Sequence, residues 1–189
     1  MRSHPTQLSG PLLLEPRVHR DERGFFLESY RRSVMHELGI ADELVQHNHS
    51  RSHRGVVRGM HFQAGMAKLV RCLRGTVFDV VVDIRRGSET FGRWEGFELD
   101  DLAHRELWCP DGFAHGFCVL SEVADVAYGC TTYHDPVADS GFRYDDPQVA
   151  ICWPEGIALS ASERDRTAPS LAEVADTLPP APTAPHQAT

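Results

Sequence analysis

The chain has no apolar run that approaches the roughly 18 residues needed to cross a bilayer as a helix. It also lacks an excess of positive charge. Nineteen Lys and Arg stand against 27 Asp and Glu, giving a formal net charge of −8 and a pI near 5.7. That balance argues against a nucleic-acid surface, so any anionic ligand has to be met by a local basic cluster. Paired cysteines are missing too: Cys72, Cys109, Cys118, Cys130 and Cys152 are odd in number, widely spaced and form no CxxC. Reduced, mostly buried thiols in a cytoplasmic protein are expected, and neither a disulfide frame nor a zinc site. The opening MRSHPTQLSG lacks the apolar core of a signal peptide. There is no internal repeat and no Gly-rich phosphate loop, which excludes a Rossmann or P-loop reading.

What is present is enough apolar content, 41%, for a packed core. One domain is expected over residues 1–175, followed by a disordered Pro/Ala-rich tail at 176–189, where TLPPAPTAPHQAT stands. The stretch from Arg58 to Ile84, RGMHFQAGMAKLVRCLRGTVFDVVVDI, organises the rest. Arg58 and His61 are followed by Lys68 and Arg71, a turn at Arg74-Gly75, and a β-branched run. In that run Phe78, Val80, Val82 and Ile84 share one face, and Val77, Asp79, Val81 and Asp83 the other. Taken alone this is a core hairpin with charges on a wet face, and His61 is an ordinary strand histidine. Read functionally, it is a rigid mount for a base beside cationic groups.

Further strands are expected at Leu12–Leu14, in the aromatic segment after the charged turn at Asp21–Gly24, at Arg93–Leu99, after Pro110-Asp111-Gly112, and over Ala124–Tyr133. Only Arg31–Leu38 reads as a good helix, with Gly39 as its stop. Many short strands with Gly/Pro turns point to an all-β sandwich or barrel with a few short helices. Leu44–Ser52 is dense in hydrogen-bonding side chains. Its histidines do not predict a metal site, because no carboxylate follows at ligand spacing and Gln, Asn and Ser are poor zinc ligands. Ser162–Pro169 is charged and placed to cross back over a site.

DERGFFLESY, QHNHS, RGMHFQ, AKLVRC, VFDVVVDIRRGSETFG, PDGFAHGF, the tyrosine strand and SERDRTAP, in that order, resemble the motifs of dTDP-4-dehydrorhamnose 3,5-epimerases over residues 8–173. The resemblance implies a cupin-type jelly roll, a homodimer, no metal or organic cofactor, and a dTDP-linked 4-keto-6-deoxysugar as substrate. It implies His61 as general base, Asp165 as the carboxylate paired with it, Tyr128 as general acid and Lys68 beside the carbonyl oxygen. Arg23, Glu28, Gln46, His47, Asn48, Arg58, His115, Asp139 and Arg164 fall at substrate-contact positions. The residue types suit the chemistry. Protons at C3 and C5 are both α to a C4 ketone, an imidazole suits their removal, and a fixed cation can hold the enolate oxygen. Metal-binding cupins carry an HxH pair, but here His61-Phe62-Gln63 stands alone.

Four departures are expected to affect sugar placement: the short Ala64–Ala67 loop, His47, His134 after Tyr133, and Asp139. They leave open a monofunctional 3- or 5-epimerase in an antibiotic deoxysugar pathway. A non-catalytic sugar-nucleotide-binding jelly roll is the alternative of another class.

Overall fold

The computed structural model describes residues 1–180. In chain order the first strands are β1 (Arg2–His4), β2 (Leu12–Glu15), β3 (Val18–Asp21), β4 (Gly24–Leu27), β5 (Gln46–His53), β6 (Val56–Phe62) and β7 (Lys68–Arg74). They are followed by β8 (Thr76–Asp83), β9 (Trp94–Asp100), β10 (Glu106–Cys109), β11 (Phe113–Val119), β12 (Val123–Cys130), β13 (Ser140–Gly141) and β14 (Ser160–Ala161). Helices are short: α1 (Arg32–Glu37), α2 (Glu163–Arg166) and α3 (Leu171–Val174).

Two six-stranded sheets face each other. One has the order β1-β2-β10-β7-β12-β5; the other runs β13-β6-β11-β8-β9, with β14 added alongside β6. All pairings are antiparallel except β14 with β6. This is the expected jelly-roll sandwich. The alternation along β8 shows how the sequence builds it. Val77 and Val81 point between the sheets, where they meet Val70, Leu107, Phe117 and Val126. Val80, Val82 and Ile84 point the other way and are covered by Phe142, Val149, Leu171 and Leu178 from the C-terminal segment.

The charged face of β8 is not wet either: Asp79 and Asp83 share the face of Val77 and Val81, which is turned between the sheets. Asp79 and Asp83 are both 0% exposed. Asp83 accepts hydrogen bonds from Arg85, Ser88 and Thr90, which satisfy a buried carboxylate. The tail boundary also moves. Residues 175–177 form a 3-10 turn, Leu178 is 2% exposed, and the Arg86 amide donates to the Pro179 carbonyl. The chain is therefore packed past 176, and the expected tail at 181–189 lies outside the described residues.

The helix forms where its apolar spacing placed it. Met35 is its buried residue, packed with Leu14, Leu69 and Trp108 on the outer face of the first sheet. It ends in a Schellman arrangement: Gly39 at φ +86° donates to His36 and Ile40 donates to Met35. Strand β12 ends at Cys130, short of the expected Tyr133, because Thr132–Asp135 turn out of the sheet onto side-chain partners.

Candidate active site

Between the two sheets lies a cavity of about 700 Å³. The first sheet lines it with Gln46 and Asn48 of β5, Lys68 of β7, and Tyr128 and Cys130 of β12. Alternation explains this wall, since every second residue of β5 and β12 points inward. The second sheet supplies Arg58 and His61 of β6 and His115 of β11. Arg58 and His61 are three apart and would face opposite sides of a regular strand. A register shift solves this: His115 pairs with His61, but Phe117 pairs with Arg58, so three steps on β6 match two on β11. The shift rests on a glycine pair. A Cβ on Gly59 would lie 2.6 Å from the Gly116 Cα, and Gly59 has φ +141°.

The C-terminal segment closes the cavity, as Ser162–Pro169 led us to expect. Strand β14 runs parallel to β6 and leads into α2, which carries Arg164 and Asp165. Ser162 caps that helix by accepting from the Asp165 amide. Asp165 is buried, and its Oδ1 is 2.7 Å from Nε2 of His61, 104 residues away in sequence. Burial alone would raise the Asp165 carboxyl. Hydrogen bonds to His61, Ser162 and the Gly59 backbone outweigh that and hold it below its usual value. An ionised Asp165 accepts the Nε2 proton, which leaves Nδ1 as the basic nitrogen of His61.

Across the cavity, burial pushes the Tyr128 phenol up, so it keeps its proton at neutral pH. Lys68 Nζ has one weak contact, the His61 carbonyl at 3.5 Å, and makes no ion pair among the described residues. A second imidazole–carboxylate pair lies alongside the first: His115 Nε2 is 2.9 Å and 3.0 Å from the two oxygens of Asp79. His115 is thus both structurally held and part of the cavity wall. Arg58 is steadied by Ser52 at 3.0 Å, and Arg164 pairs with Asp139 at 2.7 Å.

The structure brings together His61, Lys68, Tyr128, Asp165, Gln46, Asn48, Arg58, His115, Asp139 and Arg164. It does not bring Arg23, Glu28 or His47 to this cavity. Arg23 pairs with Asp21, and Glu28 pairs with Arg31. Their hairpin, β3 with β4, is joined to no other strand among the described residues. His47 alternates with Gln46 and Asn48 and therefore faces the outside of β5, in a cleft with Tyr30, Arg71 and Glu106. Asp79, Ser50, Met66 and Cys130 were not foreseen. Ser50 and Cys130 share the inward parity of Asn48 and Tyr128, and that signal could have found them. Met66 shows what the short loop does: it places a thioether on the cavity wall. Among the described residues no group of three His, Cys, Asp or Glu is arranged to hold a metal.

The sequence profile of dTDP-4-dehydrorhamnose 3,5-epimerase matches residues 5–173. The chain belongs to the dTDP-4-dehydrorhamnose 3,5-epimerase family. It is 47% identical to the Escherichia coli dTDP-4-dehydrorhamnose 3,5-epimerase, over 89% of this chain and 94% of that one. It is 44% identical to a dTDP-4-dehydrorhamnose 3-epimerase of Streptomyces niveus, over 93% and 86%. Among solved structures it resembles the dTDP-6-deoxy-D-glucose-3,5-epimerase of Legionella pneumophila in complex with dTDP-4-keto-L-rhamnose. The TM-score is 0.93 at 46% identity, covering 96% of this chain and 99% of that chain. Membership of this epimerase family makes the protein an isomerase and its sandwich a cupin-type jelly roll.

Proposed function

We propose that the protein epimerises a dTDP-linked 4-keto-6-deoxyhexose at C3 and C5, within dTDP-deoxysugar biosynthesis. The observation that carries this reading is the His61–Asp165 pair at 2.7 Å, in one cavity with Tyr128 and Lys68. His61 Nδ1 removes a proton α to the C4 ketone. Asp165 holds the imidazole's tautomer and stabilises the imidazolium that forms. Lys68 carries the developing charge on O4; a donor of this kind lowers the barrier by roughly 3–4 kcal/mol. Tyr128 returns a proton to the opposite face, and the carbon inverts. Arg58 takes the pyrophosphate by charge-assisted hydrogen bonds, giving an acidic protein a local cation for its anionic ligand.

We further read the active form as a cytoplasmic homodimer. Five free thiols, four of them buried, are in keeping with a reducing compartment. The β3–β4 hairpin exposes 55% of Phe25 and 72% of Phe26 without a sheet partner. Such aromatic surface on a hairpin outside the two sheets suits burial against a second copy, where Arg23 and Glu28 would reach that copy's ligand. A one-carbon epimerase remains the second reading, because the Streptomyces niveus relative bears that name at 44% identity.

The test compares wild type with His61→Ala on dTDP-4-keto-6-deoxyglucose, following product by NMR and ligand affinity by calorimetry. Turnover is expected to fall by about 10²–10⁴-fold with affinity retained. A His61→Ala variant that turns over like wild type would overturn the assignment. A wild type that binds the sugar nucleotide without turning it over would make the protein a binding module.

A further inference from the structure

The turn after β12 forms part of the cavity rim, since His134 and Asp139 both line the cavity. Burial does not hold this turn in place. Tyr133 is 72% exposed and Val137 is 95% exposed. Two glutamine side chains hold its first half instead, while Asp139 at its far end pairs with Arg164. Gln63, only 7% exposed, donates from Nε2 to the Tyr133 carbonyl at 3.0 Å and to Thr132 Oγ1 at 3.3 Å. Its Oε1 accepts from the Asp135 amide at 2.9 Å. Gln46 accepts from the His134 amide at 2.9 Å, and its own Nε2 donates to Asn48 at 3.1 Å. Three consecutive residues, Tyr133 to Asp135, thus have their backbone fixed by side-chain amides. Gln63 lies two residues beyond His61, at the point where the base's strand ends.

We infer that Gln63 is a positioning residue for the epimerase reaction, clamping the 132–135 turn to the strand that carries the base. The clamp sets where His134 meets the nucleotide sugar and, together with the Arg164 pair, where Asp139 does. An amide is the group the position needs. It must donate to one backbone group and accept from another two residues along, and it must do so buried, where an unmet polar group is costly. A carboxylate would lose the donor, and an apolar side chain would lose both. The effect on catalysis rests on the epimerase reading; the effect on the turn does not.

The experiment therefore has two readouts. In hydrogen-exchange mass spectrometry, Gln63→Met is expected to speed exchange over residues 132–139 by about tenfold or more, with β12 unchanged. In steady-state kinetics it is expected to raise KM by about tenfold while kcat moves less than about threefold. In a His134→Ala/Asp139→Ala background the same substitution is expected to shift KM by less than about twofold, because the residues it acts through are gone. Gln63→Glu, which keeps the acceptor and loses the donor, is expected to be intermediate and serves if Gln63→Met does not fold. Unchanged exchange over 132–139 overturns the clamp whatever the activity. An equal KM effect in both backgrounds overturns its action through the rim. A wild type that is inactive on this sugar, with faster exchange in Gln63→Met, leaves the clamp standing and removes the epimerase reading.

Discussion

At the scale of single residues, the division of labour proposed for His61 and Tyr128 makes a prediction that a passive site does not. Tyr128→Phe removes the proton donor on one face and leaves the base. It is expected to exchange solvent deuterium into the sugar with little net inversion, because His61 returns the proton to the face it came from. Wash-in and product configuration are both read by NMR, and inversion at the wild-type rate would remove Tyr128 from the mechanism. Asp165→Asn keeps the shape but not the charge that fixes the tautomer. A drop in kcat of about 10²–10⁴-fold is expected, with the fold intact by circular dichroism. That these residues meet in one cavity was legible in the sequence because their motifs match a family. Asp79 was not. Alternation puts Asp79 on one face with Val77 and Val81, but it cannot tell that this face is turned between the sheets, where His115 meets it. The other face is covered by Phe142, Val149 and Leu178, more than fifty residues further along, so β8's own pattern does not show which face is the wet one.

At the scale of elements, β10 carries a conspicuous cost. Glu106 is 1% exposed on the outer face of the first sheet, and burial pushes its carboxyl up to about 8, with Arg71 at 4.0 Å pulling it partly back. The sign follows from linkage. A carboxyl raised from 4.5 to about 8 binds its proton more tightly in the folded state, so stability declines as pH rises through that window. Glu106→Gln is expected to raise Tm over wild type by about 3–6 °C at pH 9 and to leave it nearly unchanged at pH 4. An equal shift at both pH values would show that charge is not the cause. Phe142 is 0% exposed beneath β8, and Phe142→Ala is expected to lose about 3–5 kcal/mol in urea unfolding. The helix and most strands were legible from periodicity. The end of β12 was not, because Thr131, Thr132 and Tyr133 all favour a strand, and the glutamines that hold the turn lie far off in sequence, Gln46 on β5 and Gln63 just past β6.

At the scale of the whole molecule, the jelly roll was legible as a count of short strands, while the placement of Arg23 and Glu28 was not. Their motif is clear in the sequence, yet within one protomer they stand on a hairpin away from the cavity, and no local pattern reveals which copy a hairpin serves. A homodimer is expected in sedimentation at micromolar concentration; a stable monomer there would contradict the proposed role of the hairpin. The central claim, that this cavity removes and returns protons beside a ketone, is tested most directly by incubation with dTDP-4-keto-6-deoxyglucose in D₂O, with the C3 and C5 proton signals read by NMR. Deuterium at both carbons, with both inverted, is the expected result, and label at C3 alone would reduce the reaction to a one-carbon epimerisation. No label at either carbon, with the ligand bound, would contradict the roles given to His61 and Tyr128.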